Sequence, residues 1–266
     1  MAYISFQPND YFNTKIYTGT GSSNALTGVG FQPDWTWIKR RNATASHAIQ
    51  DAVRGNDKSL RSNTTGAEYT NTFFSSFDTD GFTVTSSESD VNASAETYAS
   101  WNWKANGSGS SNTDGTTSST VSVNTTAGFS IVKWTGSGSA TTIGHGIGVT
   151  PKIIMLKNTS EVYGWQVYHA SLGNTKYLAL DSTDAEATSS ESWNNTSPTS
   201  TVFSVGASDS NNKSGNTIIA YCFAEKKGFS KFGSYVGNGS TWGTFVNCGF
   251  KPAWIMLKDT NSGSAG

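Results

Sequence analysis

Histidine side chains are the first candidates for chemistry in this sequence, because imidazole titrates near neutral pH and readily binds metals. The three histidines are His47, His145 and His169. His169 could act with Asp181 or Glu186 as an acid–base or metal-binding group. Their spacing fixes no common geometry, however, and no histidine recurs at the equivalent position of the internal repeat described below.

Motifs that mark common catalytic sites are also missing from the sequence. There is no GxSxG, no phosphate-binding loop and no zinc spacing. Cys222 and Cys248 are interpreted as small reduced side chains. The segment FDTDGF at 77–82 has some calcium-loop character, but an Asp-Gly turn before a strand explains it better. We therefore predict no catalytic residue, no metal ligand and no cofactor, and we expect that the protein is not an enzyme.

Aromatic residues in polar surroundings are the remaining candidates for a site, because an exposed ring can pack against a sugar or a protein. Trp242 lies in the turn GNGSTWG, and Trp193 lies in the polar stretch SSESWNNTSPTS. Tyr168 stands where the repeat has the polar Gln50. These three residues form the predicted ligand-binding set. The alternative is that each ring only anchors its own loop.

An internal repeat organises the chain. The segment GFQPDWTWIK at 30–39 is matched by GVTPKIIMLK at 148–157 and by GFKPAWIMLK at 249–258. An aromatic residue and a Gly-rich turn precede each copy: YTGTGS at 17–22, WTGSGS at 134–139 and YVGNGS at 235–240. The first two copies continue to agree as far as NASAETYASWNW at 92–103 and NKSGNTIIAYCF at 212–223. A repeat of this length predicts tandem structural modules.

The repeat also separates core positions from surface positions. Trp35 and Trp37 stand two residues apart, on one face of a strand, as a sugar-stacking pair would. Their counterparts in the second copy are Ile153 and Met155. Apolar residues in every copy favour burial, and Trp254 in the third copy is interpreted in the same way.

Within each module the pattern is typical of β-strands. Short apolar or alternating runs are separated by turn signals, and no segment carries a sustained helical stripe. We predict an all-β chain of tandem β-sandwich modules of the jelly-roll type. The expected boundaries are an N-terminal lead at 1–12, a first module at 13–104, a Ser/Thr/Gly linker at 105–127, a second module at 128–227 and an incomplete third module at 228–266.

Composition narrows the range of partners. The 266 residues are 35% hydrophobic and 12% aromatic but only 14% charged, and the formal net charge is −1. That charge gives no electrostatic reason to expect nucleic acid or an anionic membrane. No run approaches the ~18 apolar residues that a transmembrane helix needs, and MAYISFQPNDYF lacks the features of a secretory signal. We expect neither a nucleic-acid partner nor insertion into a membrane.

Three segments carry a resemblance to a known family: FQPNDYFNTKIYTGTGSSNALTGVGFQPDWTWIKRRN, SNTDGTTSSTVSVNTTAGFSIVKWTGSGSATTIGHGIGVTPKIIMLKN and YCFAEKKGFSKFGSYVGNGST. They resemble a repeated β-module of virion structural proteins from marine tailed phages, especially phages of cyanobacteria and other abundant oceanic bacteria. These proteins are often described as tail-fibre-like. The resemblance covers essentially the whole chain.

The resemblance implies a non-enzymatic particle component, such as a tail fibre, an appendage or a capsid-surface decoration that contacts the host cell surface. It implies other virion proteins as partners, a homo-oligomer such as a trimer, synthesis in the host cytoplasm and a place on the outer surface of the virion. Two alternatives stay open: a glycan-binding adhesin with loop aromatics as its site, and a polysaccharide depolymerase with paired acidic residues.

Repeat lengths give one further expectation. The third module is shorter than the other two, so we interpret it as incomplete in this sequence. Residues 229–266 should then lack support or be completed by something outside this sequence.

Overall fold

The computed structural model describes residues 7–261, and these fold almost entirely as antiparallel β-sheet, with 38% strand and 3% helix. The predicted all-β, sandwich-type fold is confirmed. Among the described residues, the only helical elements are a 3₁₀ turn at Pro8–Asp10 and one helical turn, α1 (Asp209–Asn212). Neither has the length or the apolar character needed to span a bilayer.

The first module consists of nine strands. They are β1 (Phe12–Thr18), β2 (Asn24–Thr27), β3 (Trp35–Arg40), β4 (His47–Asp51), β5 (Gly55–Arg61), β6 (Tyr69–Thr70), β7 (Phe74–Asp78), β8 (Gly81–Val84) and β9 (Thr97–Trp103). A large sheet has the order β1-β9-β3-β4-β5-β6, and a small sheet has the order β2-β8-β7. The residues FDTDGF form the hairpin between β7 and β8, as the Asp-Gly turn predicts.

The second module consists of ten strands. They are β10 (Ser110–Asn112), β11 (Ser119–Asn124), β12 (Phe129–Thr135), β13 (Thr141–Gly144), β14 (Ile153–Asn158), β15 (Gln166–His169), β16 (Lys176–Ala179), β17 (Ala187–Thr188), β18 (Val202–Val205) and β19 (Thr217–Phe223). Its large sheet has the order β10-β11-β12-β19-β14-β15-β16-β17, and its small sheet pairs β13 with β18.

The two modules share one topology. The order β1-β9-β3-β4-β5-β6 in the first large sheet reappears, strand for strand, as β12-β19-β14-β15-β16-β17 in the second. The register is also shared, because Trp35 lies opposite Trp103 in the first module and Ile153 lies opposite Phe223 in the second. The sequence repeat is therefore a repeat of strand pairing as well.

The segment expected to be a linker, residues 105–127, belongs instead to the second large sheet. β10 pairs with β11, and β11 pairs with β12 along its whole length. Val121 is buried in the core of the second module. The carboxylate of Asp34 accepts hydrogen bonds from the backbone N–H groups of Ala105 (2.6 Å) and Gly107 (3.0 Å). The polar composition suggested a linker because β10 has no buried residue and β11 buries only one apolar side chain, Val121.

Three hydrophobic cores lie between the sheets. One core lies within each module, between its large and small sheets. The third core lies between the two large sheets and contains Trp35, Trp37, Trp165 and Tyr221. The layers therefore run small sheet, large sheet, large sheet, small sheet. The predicted burial of Trp35 and Trp37 is confirmed, and the two modules share one interior instead of standing apart.

A buried asparagine holds the Gly-rich turn of each module. Asn92 Oδ1 accepts the backbone N–H of Thr20 at 3.0 Å, and Asn92 Nδ2 donates to the carbonyl of Ser22 at 2.7 Å. Asn212 makes the corresponding bonds to residues 137–139. Both side chains are fully buried. The side-chain amide satisfies backbone N–H and C=O groups of the turn that have no partner in a neighbouring strand.

Residues 229–261 form no strand in the structure. The segment GFKPAWIMLK is the counterpart of β3 and β14, yet Ile255 is 64% exposed and Leu257 is 69% exposed. Trp254 is half-buried, and its ring centroid lies 5.5 Å from that of Trp103 in the first module. In the third copy of the repeat, Trp254 therefore packs on the first module, while the apolar residues that follow it face solvent.

Candidate functional site

Two of the three predicted ligand-binding residues are core residues. Trp193 is only 1% exposed, and its indole Nε1 donates to the carbonyl of Lys176 at 3.0 Å. Tyr168 is 4% exposed, and its ring lies 5.6 Å from that of Trp193 in an edge-on arrangement. The prediction that they face a ligand is wrong. The polar stretch around Trp193 places its one large ring in the core, where the carbonyl of Lys176 accepts the indole N–H.

Trp242 is the predicted site residue that lies on the surface, with 88% of the residue exposed. Its loop is held by local hydrogen bonds. Asn238 Nδ2 donates to the carbonyl of Trp242 at 3.0 Å, and the backbone N–H of Trp242 donates to Ser240 Oγ at 3.2 Å. Asn238 Oδ1 in turn accepts the backbone N–H of Ser240 at 3.1 Å. The indole is thus presented to solvent on a backbone with defined bonds.

Other exposed apolar side chains accompany Trp242. The aromatic loop, residues 235–246, also exposes Tyr235, Val236, Phe245 and Val246. Its two sides are joined by Thr244 Oγ1, which donates to the carbonyl of Val236 at 2.7 Å. Concentrated apolar surface on a polar chain is typical of a contact site.

A shallow cleft of about 520 Å³ lies close in sequence to the aromatic loop. The side chains Lys152, Lys227, Lys231, Glu225 and Phe250 line it. Lys231 Nζ lies 2.5 Å from Glu225 Oε1, so part of the positive charge is neutralised within the cleft. The remaining ammonium groups and the Phe250 ring can hydrogen-bond to, and pack on, a polar ligand.

The histidines do not form a catalytic or metal-binding group. Nδ1 of each ring accepts a hydrogen bond: from Trp37 Nε1 to His47 at 2.9 Å, and from nearby backbone N–H groups to His145 and His169. Burial lowers the pKa of all three, and Lys39 adds to the effect at His47, whose pKa falls to about 4. The rings are therefore neutral acceptors that support loops.

The carboxylates proposed as partners of His169 have other roles. Asp181 Oδ1 accepts the backbone N–H of Trp165 at 2.9 Å, and Glu186 forms an ion pair with Lys176. Within residues 7–261 there is no group of three or more His, Cys, Asp or Glu side chains that could hold a metal ion.

A buried charge network joins the two modules. Arg54 Nε lies 2.5 Å from Asp51 Oδ2, and Arg54 Nη1 lies 3.1 Å from Glu68 Oε2. Tyr221 of the second module donates its hydroxyl to Asp51 Oδ2 at 2.6 Å. Burial alone would lower the pKa of Arg54, but Asp51, Tyr221 and Glu68 together outweigh burial and raise it. The network is fully paired, so it fixes one module against the other.

Lys157 is a second buried cation at the junction of the modules. Its Nζ donates to the carbonyl of Tyr163 at 2.5 Å and to the carbonyl of Thr65, in the first module, at 3.1 Å. Burial lowers its pKa to about 8, although the Asp181 carboxylate partly opposes that shift. Two carbonyl partners explain its position without a reaction. The cysteines are free, and burial raises the pKa of Cys222, which makes that thiol unreactive.

The fold and this surface define a class: tandem β-sandwich modules with a shared core and an exposed aromatic loop. The family model described as Domain of unknown function (DUF7483) matches residues 7–265, and the chain belongs to that family. No curated protein and no solved structure matches the chain.

Proposed function

We propose that the chain is a non-enzymatic structural component of a virion, displayed on the tail or the capsid surface as a fibre, an appendage or a decoration. Its sequence resemblance to the repeated module of marine tailed-phage proteins supports this role. Its partners are other virion proteins and further copies of itself, with a trimer as the expected assembly, and its outer surface contacts the host cell.

The structural observation that most supports this proposal is the hydrophobic core shared by the two modules. Trp35 of the first module stacks on Tyr221 of the second with ring centroids 4.5 Å apart, and the Tyr221 hydroxyl reaches Asp51 at 2.6 Å. Modules joined through a core resist bending relative to each other. That property suits a surface protein that withstands force, and the loops at its surface remain available for contact.

Antibodies against the purified chain test this role directly. Immunogold electron microscopy of particles from the source culture should show label at one defined position on the tail or capsid. The control is pre-immune serum on the same particles. If purified particles carry no label while the infected-cell lysate contains the protein, the role as a virion component is wrong.

The aromatic loop supports a second function, contact with host surface glycan. Trp242 is 88% exposed, and its backbone accepts a hydrogen bond from Asn238 and donates one to Ser240. An indole on a backbone held in this way can stack on the apolar face of a sugar ring with little loss of backbone entropy.

A glycan array with the full chain tests this second function. Trp242→Ala should reduce binding to the recognised glycans at least tenfold, whereas Val162→Ala, at an exposed apolar residue remote in sequence from the loop, should leave binding unchanged. Equal binding by the two variants would remove Trp242 from the site.

A further inference from the structure

The backbone contact between the first and second modules recurs one module further along the chain. The N–H of Glu68 donates to the carbonyl of Thr159 at 2.8 Å. The N–H of Glu186, the counterpart of Glu68, donates to the carbonyl of Thr260 at 3.0 Å. Thr260 stands two residues after Lys258, as Thr159 stands two residues after Lys157. The C-terminal segment thus meets the second module as the second module meets the first.

The equivalent lysines of the second and third copies, Lys157 and Lys258, also make equivalent contacts with the preceding module. Lys157 Nζ donates to the carbonyl of Thr65 in the loop between β5 and β6, at 3.1 Å. Lys258 Nζ donates to the carbonyl of Ser182 in the corresponding loop between β16 and β17, at 2.7 Å. Side-chain and backbone contacts therefore agree on how the third copy is placed.

Aromatic contacts join the third copy of the repeat to the first module. Trp35 of the first module packs against three rings of the second, at centroid distances of 4.5, 5.7 and 5.8 Å: Tyr221, Phe129 and Phe223. Trp254 is the counterpart of Trp35. It packs against the counterparts of those three rings in the first module, at 6.4, 6.4 and 5.5 Å: Trp101, Phe12 and Trp103.

We infer that residues 228–261 occupy the third position of a pseudo-threefold ring of modules, and that residues 254–257 there receive an extended partner strand of the β9 and β19 type. The first module contacts the second, the second contacts the third, and the third contacts the first, which is the closure of a cyclic arrangement. Both complete modules show what covers this position, because β3 pairs with β9 and β14 pairs with β19.

The register defines the chemistry of the partner strand. Trp101-Asn102-Trp103 in β9 and Tyr221-Cys222-Phe223 in β19 share the order aromatic, small, aromatic. The aromatic residues lie opposite Trp35 and Trp37 in the first module. A partner strand antiparallel to residues 254–257 therefore places its aromatic residues opposite Trp254 and Met256. It extends the inter-module core that Trp254 already contacts.

A labelled peptide copy of residues 96–104, ETYASWNWK, tests the proposal on the full chain. Fluorescence anisotropy should show saturable binding. Binding should weaken at least tenfold when the peptide carries Trp101→Ser and Trp103→Ser. It should weaken similarly when the protein carries Met256→Asp, a change at an exposed residue that does not threaten the fold. The matched control is Val162→Asp, at an exposed apolar residue remote in sequence from the segment, and it should bind as the unaltered chain does.

Light scattering on the same samples completes the test. Peptide binding by a chain whose oligomeric state Met256→Asp leaves unchanged supports the proposal. Absence of saturable binding, or equal binding by Met256→Asp, overturns it. An oligomer that Met256→Asp dissociates also overturns it, because a second copy then covers the segment. None of these outcomes depends on whether the protein belongs to a virion.

Discussion

Single buried amides determine the turns of this protein. Asn92 and Asn212 occupy equivalent positions, and each satisfies several backbone groups of a Gly-rich turn from inside the module. Sequence comparison identifies these residues as part of the repeat but does not say what they bind. Their role depends on turns about 70 residues earlier in the chain, as for Asn212 and Ser139, which are 73 residues apart.

Asn212→Ala should lower the free energy of unfolding by about 1–3 kcal/mol, because several backbone and hydroxyl groups lose their hydrogen bonds to this fully buried amide. Those groups belong to Ser137, Ser139 and Gly206. Asn106→Ala, at an exposed position, should change it by no more than about 0.5 kcal/mol. Urea denaturation measures both; equal effects would mean that the amide does not hold the turn.

His47 should make stability depend on pH in the acidic range. Its pKa of about 4 in the folded chain lies below the ordinary value of 6.5 because burial and Lys39 disfavour the imidazolium. Between pH 4 and pH 6.5 the unfolded chain binds more protons than the folded chain does. The stability that neutral His47 contributes is therefore fully present above pH 6.5 and is lost as the pH falls to 4.

His47→Asn tests that contribution, because Asn Oδ1 can accept the Trp37 indole hydrogen bond and does not titrate. Urea unfolding between pH 7 and pH 4.5 should give a shallower loss of stability in the variant than in the unaltered chain. Identical pH profiles would contradict the assignment.

At the scale of elements, β10 and β11 show the limit of compositional reasoning. Their Ser-, Thr- and Asn-rich sequences have the composition of a flexible linker, yet they extend the second large sheet. Strand pairing uses backbone groups that every residue type carries, so a strand at the outer part of a sheet needs only a few inward apolar residues. By contrast, the apolar runs of β3 and β14 predicted buried central strands, and the structure contains them.

Val121→Asp in β11 should destabilise the chain by about 3 kcal/mol or more, because it places a charge in the core of the second module. Thr125→Asp, in the exposed turn after β11, should have little effect. Thermal denaturation of the two variants tests whether β11 is a strand that packs on the core or a flexible linker. If Val121→Asp is as stable as Thr125→Asp, β11 does not pack on the core.

At the scale of the whole molecule, the modules are joined through their large sheets. The central core combines apolar residues from both modules, and the Asp51–Arg54–Glu68–Tyr221 network adds buried polar contacts across the junction. Neither set is visible in local sequence, since Tyr221 and Asp51 are 170 residues apart. A long-range contact of this kind follows from how the sheets stack.

Calorimetry should therefore show one unfolding transition for both modules. Tyr221→Phe should lower its midpoint by several degrees, because Asp51 loses a buried hydrogen-bond donor worth about 1–3 kcal/mol. Tyr235→Phe, at an exposed ring, should leave the midpoint unchanged. Two separate transitions in the unaltered chain would show that the modules fold independently.

The sequence alone determined the β class, the repeat and the buried character of Trp35 and Trp37, because strand periodicity and internal comparison depend on local pattern. Only the tertiary structure decided which aromatic rings are exposed. Trp193 and Trp242 both stand in polar stretches, but one ring is packed beneath its loop and the other projects into solvent. Burial depends on what the rest of the chain places above each ring, and that is a property of the assembled sheets.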